Sequence, residues 1–526
     1  MVDSPRKDTL DKDLEKLVHV EQAANVVARG LVAPGFGLLF LALTAIVTAF
    51  YVSGEPGAVT IVAAAAIGAY MALNIGANDV ANNVAPAVGA KALTLAGALA
   101  IAAIFEAAGA LIAGGDVVDT ISKGIIDPDT VADPATFIRV MLAALLSSAV
   151  WINVATWVGA PVSTTHSVVG GVLGSGIAAA GLAAVDWNVM SAIAASWVVS
   201  PLMGGVIAAL FLAFVKSAII YQDDKIAAAR RWLPMLIAIM AGAFAAYLAL
   251  KGLKKVIHLD SVSIAFIGSA TGLIVWSLAN GHIRRISEGM ENRNQSLRRL
   301  FRGPLIFSAA LLSFAHGAND VANAVGPLAA IVSTVQEGSV AAEVGIPIWV
   351  MVIGAMGISI GLVLFGPRLI RMVGEQITRL NPMRAFCVAL SAAITVIIAS
   401  WLGLPVSSTH VAVGAVFGVG FFREWYTANS KRRRNYLERK AARESENRRA
   451  AFDNDSGNGE LDGNGAGDDN GFGDESGDSQ LSGAEIMRRR LVRRAHVMTI
   501  VAAWITTVPA SALLSAVIFY VLAIAY

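Results

Sequence analysis

The sequence predicts an all-α integral membrane protein. It comprises two inverted-topology repeats with broken helices or re-entrant segments, about twelve core transmembrane helices and one extra N-terminal helix. Three observations carry this expectation. First, 56% of the 526 residues are hydrophobic and only 15% are charged, with a mean hydropathy of +0.65. An ordinary soluble domain carries about 25% charged residues. Second, thirteen segments are apolar over lengths that suit a bilayer. Third, two short motifs recur in the two halves of the chain, with opposite charge around them.

A span needs about 20 apolar residues, because a helix rises 1.5 Å per residue and the hydrocarbon layer is roughly 30 Å thick. The segments are 31–52, 58–78, 92–114, 137–160, 163–185, 190–215, 232–250, 261–279, 304–332, 346–367, 385–403, 407–422 and 496–524. Segments 163–185 and 407–422 are rich in Gly, and the sequence leaves open whether they span or re-enter. The first apolar run follows a charged stretch and is long enough to span, so it reads as a helix rather than a cleaved signal. Residues 1–30 mix charged and small apolar residues, as in an amphipathic cytoplasmic helix.

Basic loops stay on the cytoplasmic side. Residues 280–303 hold six arginines, 423–450 hold ten Lys or Arg, and 488–494 add five arginines, so these loops are placed inside. Residues 115–136, with five Asp and one Lys, and 333–346, with two Glu and no base, are placed outside. One loop disagrees: 251–260 carries Lys251, Lys254 and Lys255 yet must lie outside. Residues 453–482 contain nine acids, no base, and many Gly, Asn and Ser, a composition that buries no core.

The bulk composition excludes several classes. A net charge of +2 points to no nucleic-acid partner, and a single cysteine, Cys387, permits neither an intrachain disulfide nor a thiolate cluster. The string GISIG at 357–361 spells a nucleophile elbow but lies in an apolar run, not a strand–turn–helix.

The duplication sets the architecture. GANDVAN occupies 76–82 and again 317–323; PVSTTH at 161–166 returns as PVSSTH at 405–410. Each Ser/Thr motif is followed by V-G-x-V-x-G-x-G, and VMSAIAASWVVSP (189–201) is echoed by VMTIVAAWITTVP (497–509). After the first GANDVAN the next apolar segment ends in the acidic loop 115–136. After the second it ends in 368–384, which carries four arginines and one Glu. Matching elements therefore run in opposite directions, the pattern of a secondary transporter with its site near the midplane.

The motifs suit such a site. Gly76 and Gly317 weaken a helix, and Asn78–Asp79 and Asn319–Asp320 suit a new helix start. Pro86 and Pro327 disturb the stretch that follows. Broken helices offer N-termini to anions and free carbonyls to cations. A carboxylate in a bilayer costs about 2.5–3.5 kcal/mol and must pair, bind a cation or take a proton. No Lys or Arg neighbours Asp79 or Asp320 in sequence except Lys91, so both suit a coupling Na⁺ or H⁺. Asn82 and Asn323 add neutral oxygens for a hard cation, and Asn78 and Asn319 add amides that an anion can also use. Ser163, Thr164, Thr165, Ser407, Ser408 and Thr409 place hydroxyls beside free helix-start N–H groups. That is an anion cradle without fixed positive charge, and tetrahedral phosphate suits it. His166 and His410 follow the cradles and are titratable. Glu106 is an intramembrane acid with no counterpart in the second half, and is assigned to the coupling cation. The GxxxG spacings at Gly170–Gly174 and Gly414–Gly418 predict close helix packing.

With both motifs duplicated, the sequence resembles the inorganic phosphate transporter family over roughly 58–430 and the final segment. The resemblance implies a twelve-helix core of two inverted repeats and orthophosphate carried with Na⁺ or H⁺. It also implies binding positions at Asn78, Asp79, Asn319 and Asp320 and at the hydroxyls of 163–165 and 407–409.

The resulting expectation is a multi-pass cell-membrane symporter importing inorganic phosphate, not an enzyme. It needs no cofactor beyond the coupling ion and no structural metal, with Na⁺ weighed at Asp79 and Asp320. Its partners are phosphate, Na⁺ or H⁺ and lipid, with a homodimer left open. The expected organisation is an N-terminal segment and extra helix (1–57), repeat 1 (58–231) and connecting helices with a basic loop (232–303). Repeat 2 (304–422), a largely disordered cytoplasmic loop (423–495) and the last helix of repeat 2 (496–526) follow. The rivals are a carrier of another oxyanion such as sulfate, a phosphate sensor without transport, and an intramembrane enzyme.

Overall fold

The computed structural model describes residues 31–429 and 494–525, apart from 80, 128–129, 132, 159–161, 253–258, 341–344 and 373–379. The expectations for 1–30 and for the acidic tract 453–482 lie outside the described residues. The described chain is helical, with one isolated bridge between Ile126 and Val185. In order the helices are α1 (Leu31–Tyr51), α2 (Ala58–Asn78), α3 (Ala81–Gly89), α4 (Leu95–Ala113), α5 (Gly115–Asp119) and α6 (Pro134–Val158). Next come α7 (Thr164–Ala180), α8 (Trp187–Val215), α9 (Lys225–Lys251), α10 (Ser261–Ser287), α11 (Asn294–Leu300) and α12 (Arg302–Asp320). The last are α13 (Ala322–Glu337), α14 (Ile348–Met372), α15 (Pro382–Trp401), α16 (Ser408–Asn429) and α17 (Arg494–Ala525).

Among the described residues eleven helices are long and apolar enough to cross a membrane, against thirteen predicted segments. The difference lies in α7 and α16. α7 has 17 residues, and α16 opens on Ser408-Thr409-His410 and runs into Arg423 and Glu424, so neither is a full apolar span. Each is the second arm of a hairpin, α6–α7 and α15–α16, with a Ser/Thr motif at the tip. Side chains cap the arms. Asp133 Oδ2 accepts from Thr136 N (2.9 Å) and Thr136 Oγ1 (2.6 Å), which holds its carboxyl below the usual range, and Asn381 Oδ1 accepts from Arg384 N (3.0 Å).

The GANDVAN motifs do break their helices, but by little. α2 ends at Asn78 and α3 starts at Ala81, and α12 gives way to α13 at Val321 alone. The aspartates do not start the new helices as caps: α13 is preceded by Val321 with no side-chain cap, and both carboxylates turn to other partners. Pro86 and Pro327 sit inside α3 and α13 rather than ending them. Their effect is local: a proline nitrogen cannot donate, so the carbonyls of Asn82 and Asn323 lose their helical donors.

Glycine brings backbones into contact where the two halves meet. Gly317 of α12 lies against the backbone of Glu106 in α4, and Gly76 of α2 lies against Ile358 in α14. The expected GxxxG contacts are present: Gly170 and Gly174 of α7 meet Val508 and Ala512 of α17, and Gly414 and Gly418 of α16 meet Pro201 and Gly205 of α8. A Cβ on Gly317 would lie well inside van der Waals contact distance of Glu106 O. Gly317→Ala therefore forces α12 off α4, and overpacking of this kind costs about 1–3 kcal/mol or more. The expected outcome is a lower thermal midpoint in detergent, while Gly281→Ala, which meets open space, leaves it unchanged.

The awkward lysine of the 251–260 loop has a partner. Lys251 pairs with Asp116, so the end of α9 lies beside the start of the acidic segment 115–136. Gln336 at the end of α13 donates to Glu55 just before α2 (3.1 Å). Cys387 is fully buried in α15, as its apolar surroundings predict.

Candidate functional site

The two GANDVAN breaks and the two hairpin tips converge. Thr164, the first residue of α7, donates to Asp79 Oδ2 (2.7 Å) and lies 3.4 Å from Asp320 Oδ2, so one hydroxyl joins both aspartates. Thr409 donates to Asp79 Oδ1 (3.2 Å) and Ser408 to Asp320 Oδ2 (3.4 Å). The asparagines cross over between halves. Asn82 of the first motif donates to Thr409 of the second hairpin (2.9 Å). Asn323 of the second motif donates to Thr164 (3.3 Å) and Thr165 (3.2 Å) of the first hairpin. Asp79, Asp320, Thr164, Thr165, Ser408, Thr409 and Asn323 are all buried.

The remaining predicted residues stand around this ring. Ser163 Oγ accepts from His166 N (3.1 Å) and Ser407 Oγ accepts from His410 N (3.3 Å), so each caps its own hairpin helix. Asn319 anchors the second tip: it donates to Ser400 Oγ (3.0 Å) and Leu404 O (3.1 Å) and accepts from Val406 N (3.2 Å). Asn78 does the same for the first tip. With its oxygen toward Thr156 Oγ1 (2.7 Å), it donates to Val162 O (3.3 Å) and Asp79 Oδ1 (3.1 Å). The rings of His166 and His410 meet edge to face at 4.5 Å, and His166 also packs on Trp197 at 3.9 Å.

Glu106 is joined to the ring through His316, which the sequence reading did not single out. His316 Nδ1 lies 2.6 Å from Glu106 Oε2, and Nε2 lies 2.9 Å from Asp320 Oδ2, off the angle of a hydrogen bond. Asn83, also unforeseen, donates to Glu106 Oε1 (2.8 Å). One ligand atom each from Asp79, His316 and Asp320 lie within 4.8 Å of one another, a set that can hold a cation. Asp320 Oδ1 and Asn323 Oδ1 are buried with no protein hydrogen-bond partner, and hard cations take oxygens of this kind.

A signal for the missed residues was present in the differences around the two copies of the motif. His316 stands where the first half has Ile75, Asn83 where the second has Ala324, and Glu106 packs on Gly317 where the second half packs Ile358 on Gly76. The polar residues at these three unmatched positions contact one another.

Membrane-crossing helices that converge on a buried ring of carboxylates, amides and hydroxyls define a multi-pass membrane transporter. Residues 75–515 match the model of the phosphate transporter family. A Helicobacter pylori protein named as a phosphate permease is 44% identical over 527 residues, covering 97% of this chain and 98% of the relative. One from Pyrococcus abyssi is 40% identical over 359 residues, covering 68% and 87%. A solved structure of a sodium-dependent phosphate transporter superposes with a TM-score of 0.73 at 32% identity, covering 89% of this chain and all of the other. The chain belongs to the phosphate transporter family. It is a phosphate transport protein, not an enzyme.

Proposed function

We propose that the protein imports inorganic phosphate across the cell membrane by symport with Na⁺, through alternating access of two inverted repeats. The observation that carries this reading is the convergence of Asp79 and Asp320, one from each GANDVAN motif, on Thr164. Two buried carboxylates repel an oxyanion, so phosphate cannot enter the ring alone. A cation between the carboxylates removes the repulsion and attracts the phosphate, so each ligand raises the other's affinity. Phosphate is then held by the hydroxyls of Thr164, Thr165, Ser408 and Thr409, with Ser163 and Ser407 fixing the tips. Asp79, Asp320, Asn82 and Asn323 hold the coupling ions. Oxygen donors suit Na⁺, and the superposed sodium-dependent transporter supports Na⁺ over H⁺.

Inversion of the repeats is supported by Gln336 against Glu55: α12–α13 passes the site and ends where α2 begins. The matched crossings Gly317–Glu106 and Gly76–Ile358 support it too.

The test is uptake of labelled phosphate into proteoliposomes under separately imposed gradients. An inward Na⁺ gradient at equal pH is expected to concentrate phosphate. A pH gradient without Na⁺ is expected not to, and uptake driven by pH alone would replace Na⁺ by H⁺. Arsenate, with the same shape and charge, is expected to compete, and sulfate, which carries no titratable proton near neutral pH, is not. Failure to concentrate phosphate under either gradient would favour a sensor.

A further inference from the structure

A groove of about 390 Å³ runs between α8 and α9, far along the chain from the site residues, and every side chain lining it is apolar. Ile207, Leu210, Phe211 and Phe214 form one wall; Trp232, Met235, Leu236 and Ile239 form the other. Leu210 and Ile239 are 64% and 58% exposed, so the groove opens sideways, toward the membrane. Trp232 to Ile239 spans roughly 10 Å of helix, about two-thirds of the hydrocarbon depth of one leaflet.

One end of the groove is closed by Trp232, whose ring meets Phe214 edge to face at 5.0 Å. The guanidinium of Arg231 lies over the same Trp232 ring at 5.3 Å. Arg231 is exposed, and among the described residues no carboxylate lies within ion-pair distance of it. Its neighbour Arg230 is committed, donating to Ser287 Oγ (2.6 Å) and Ser287 O (3.1 Å). Asp224, in the turn before α9, caps that helix by accepting from Ala227 N (2.9 Å). The bonds to Ser287, and Lys225 N to Asn292 Oδ1 (2.9 Å), place this end beside the arginine-rich 280–303 segment. Charge bias puts that segment on the cytoplasmic side.

We propose that this groove binds an anionic phospholipid of the cytoplasmic leaflet, with an acyl chain between α8 and α9 and the headgroup phosphate on Arg231. A single guanidinium over an aromatic ring at the mouth of a wholly apolar slot matches the two parts of such a lipid. Arg forks suit phosphate oxygens, and an indole suits the headgroup level.

The test is native mass spectrometry of the purified full-length protein with phosphatidylglycerol or phosphatidylcholine of identical chains. Phosphatidylglycerol is expected to bind about fivefold more tightly, the effect of one basic residue near an anionic headgroup. Arg231→Gln is expected to erase that preference, and Leu210→Trp, which fills the slot from the exposed side, to lower retention of both lipids. Equal binding of the two lipids by the wild type, or a preference that survives Arg231→Gln, overturns the proposal. So does a Leu210→Trp variant that loses a dimer while keeping its lipid, which would assign the groove to a second copy. None of these outcomes depends on the coupling ion.

Discussion

Asp79→Asn is expected to insert and fold normally yet lower phosphate uptake about 100-fold or more. Asn has the shape of Asp and keeps one acceptor oxygen, so either Thr164 or Thr409 keeps its bond. What is lost is the charge that a cation needs, and interactions worth about 3 kcal/mol correspond to roughly a hundredfold change in binding. Asp320→Asn is expected to behave alike, because its Oδ2 faces Thr164 and Ser408 and its Oδ1 is buried without a protein partner. The readout is labelled phosphate uptake in proteoliposomes, with a monodisperse gel-filtration profile showing that the variant is folded. Wild-type uptake by Asp79→Asn would remove that carboxylate from the coupling mechanism.

The second large effect concerns the unmatched trio Asn83, Glu106 and His316. His316→Leu is expected to destabilise the protein by about 3–5 kcal/mol, because it leaves Glu106 and Asp320, both fully buried, without the base between them. The other half shows how the same crossing packs without charge, with Ala324, Ile358 and Ile75. The triple variant Asn83→Ala/Glu106→Ile/His316→Ile copies that arrangement. It is expected to regain most of the lost stability, since apolar replacements of buried ionic groups are often neutral or favourable. It is also expected to remain inactive. Thermal unfolding in detergent and uptake, measured on the single and triple variants, separate the two effects. Full uptake by the triple variant would make the trio a packing device.

The identical residues were legible because repetition marked them. GANDVAN and PVS[ST]TH announced carboxylates, amides and hydroxyls, and the glycines of GxxxG announced helix contacts that are present at Gly170, Gly174, Gly414 and Gly418. What could not be read was which of those groups meet. Thr164 and Asp79 are 85 residues apart and Thr409 and Asp79 330 apart, and no local rule links them. The capping expectation for the aspartates failed for a physical reason. At Val321 the backbone stays in the helical region (φ −57°, ψ −31°), so the second helix start calls for no cap, and both carboxylates serve the hairpin hydroxyls instead. His316 was missed because it sits one residue before the shared string, inside an apolar run. A difference between the copies carried its signal, whereas the reading weighed their agreement.

α17 is the last helix in the chain, yet it lies backbone to backbone on α7, and its Ser511 donates to Ser167 O (2.6 Å), three residues past Thr164. The first hairpin is therefore held in place by a helix 344 residues further along the chain. A truncated or nascent chain that stops short of Arg494 already contains every ring residue but lacks this clamp. In such a chain α7 loses its backbone partner, and the Thr164 hydroxyl is no longer fixed against Asp79 and Asp320.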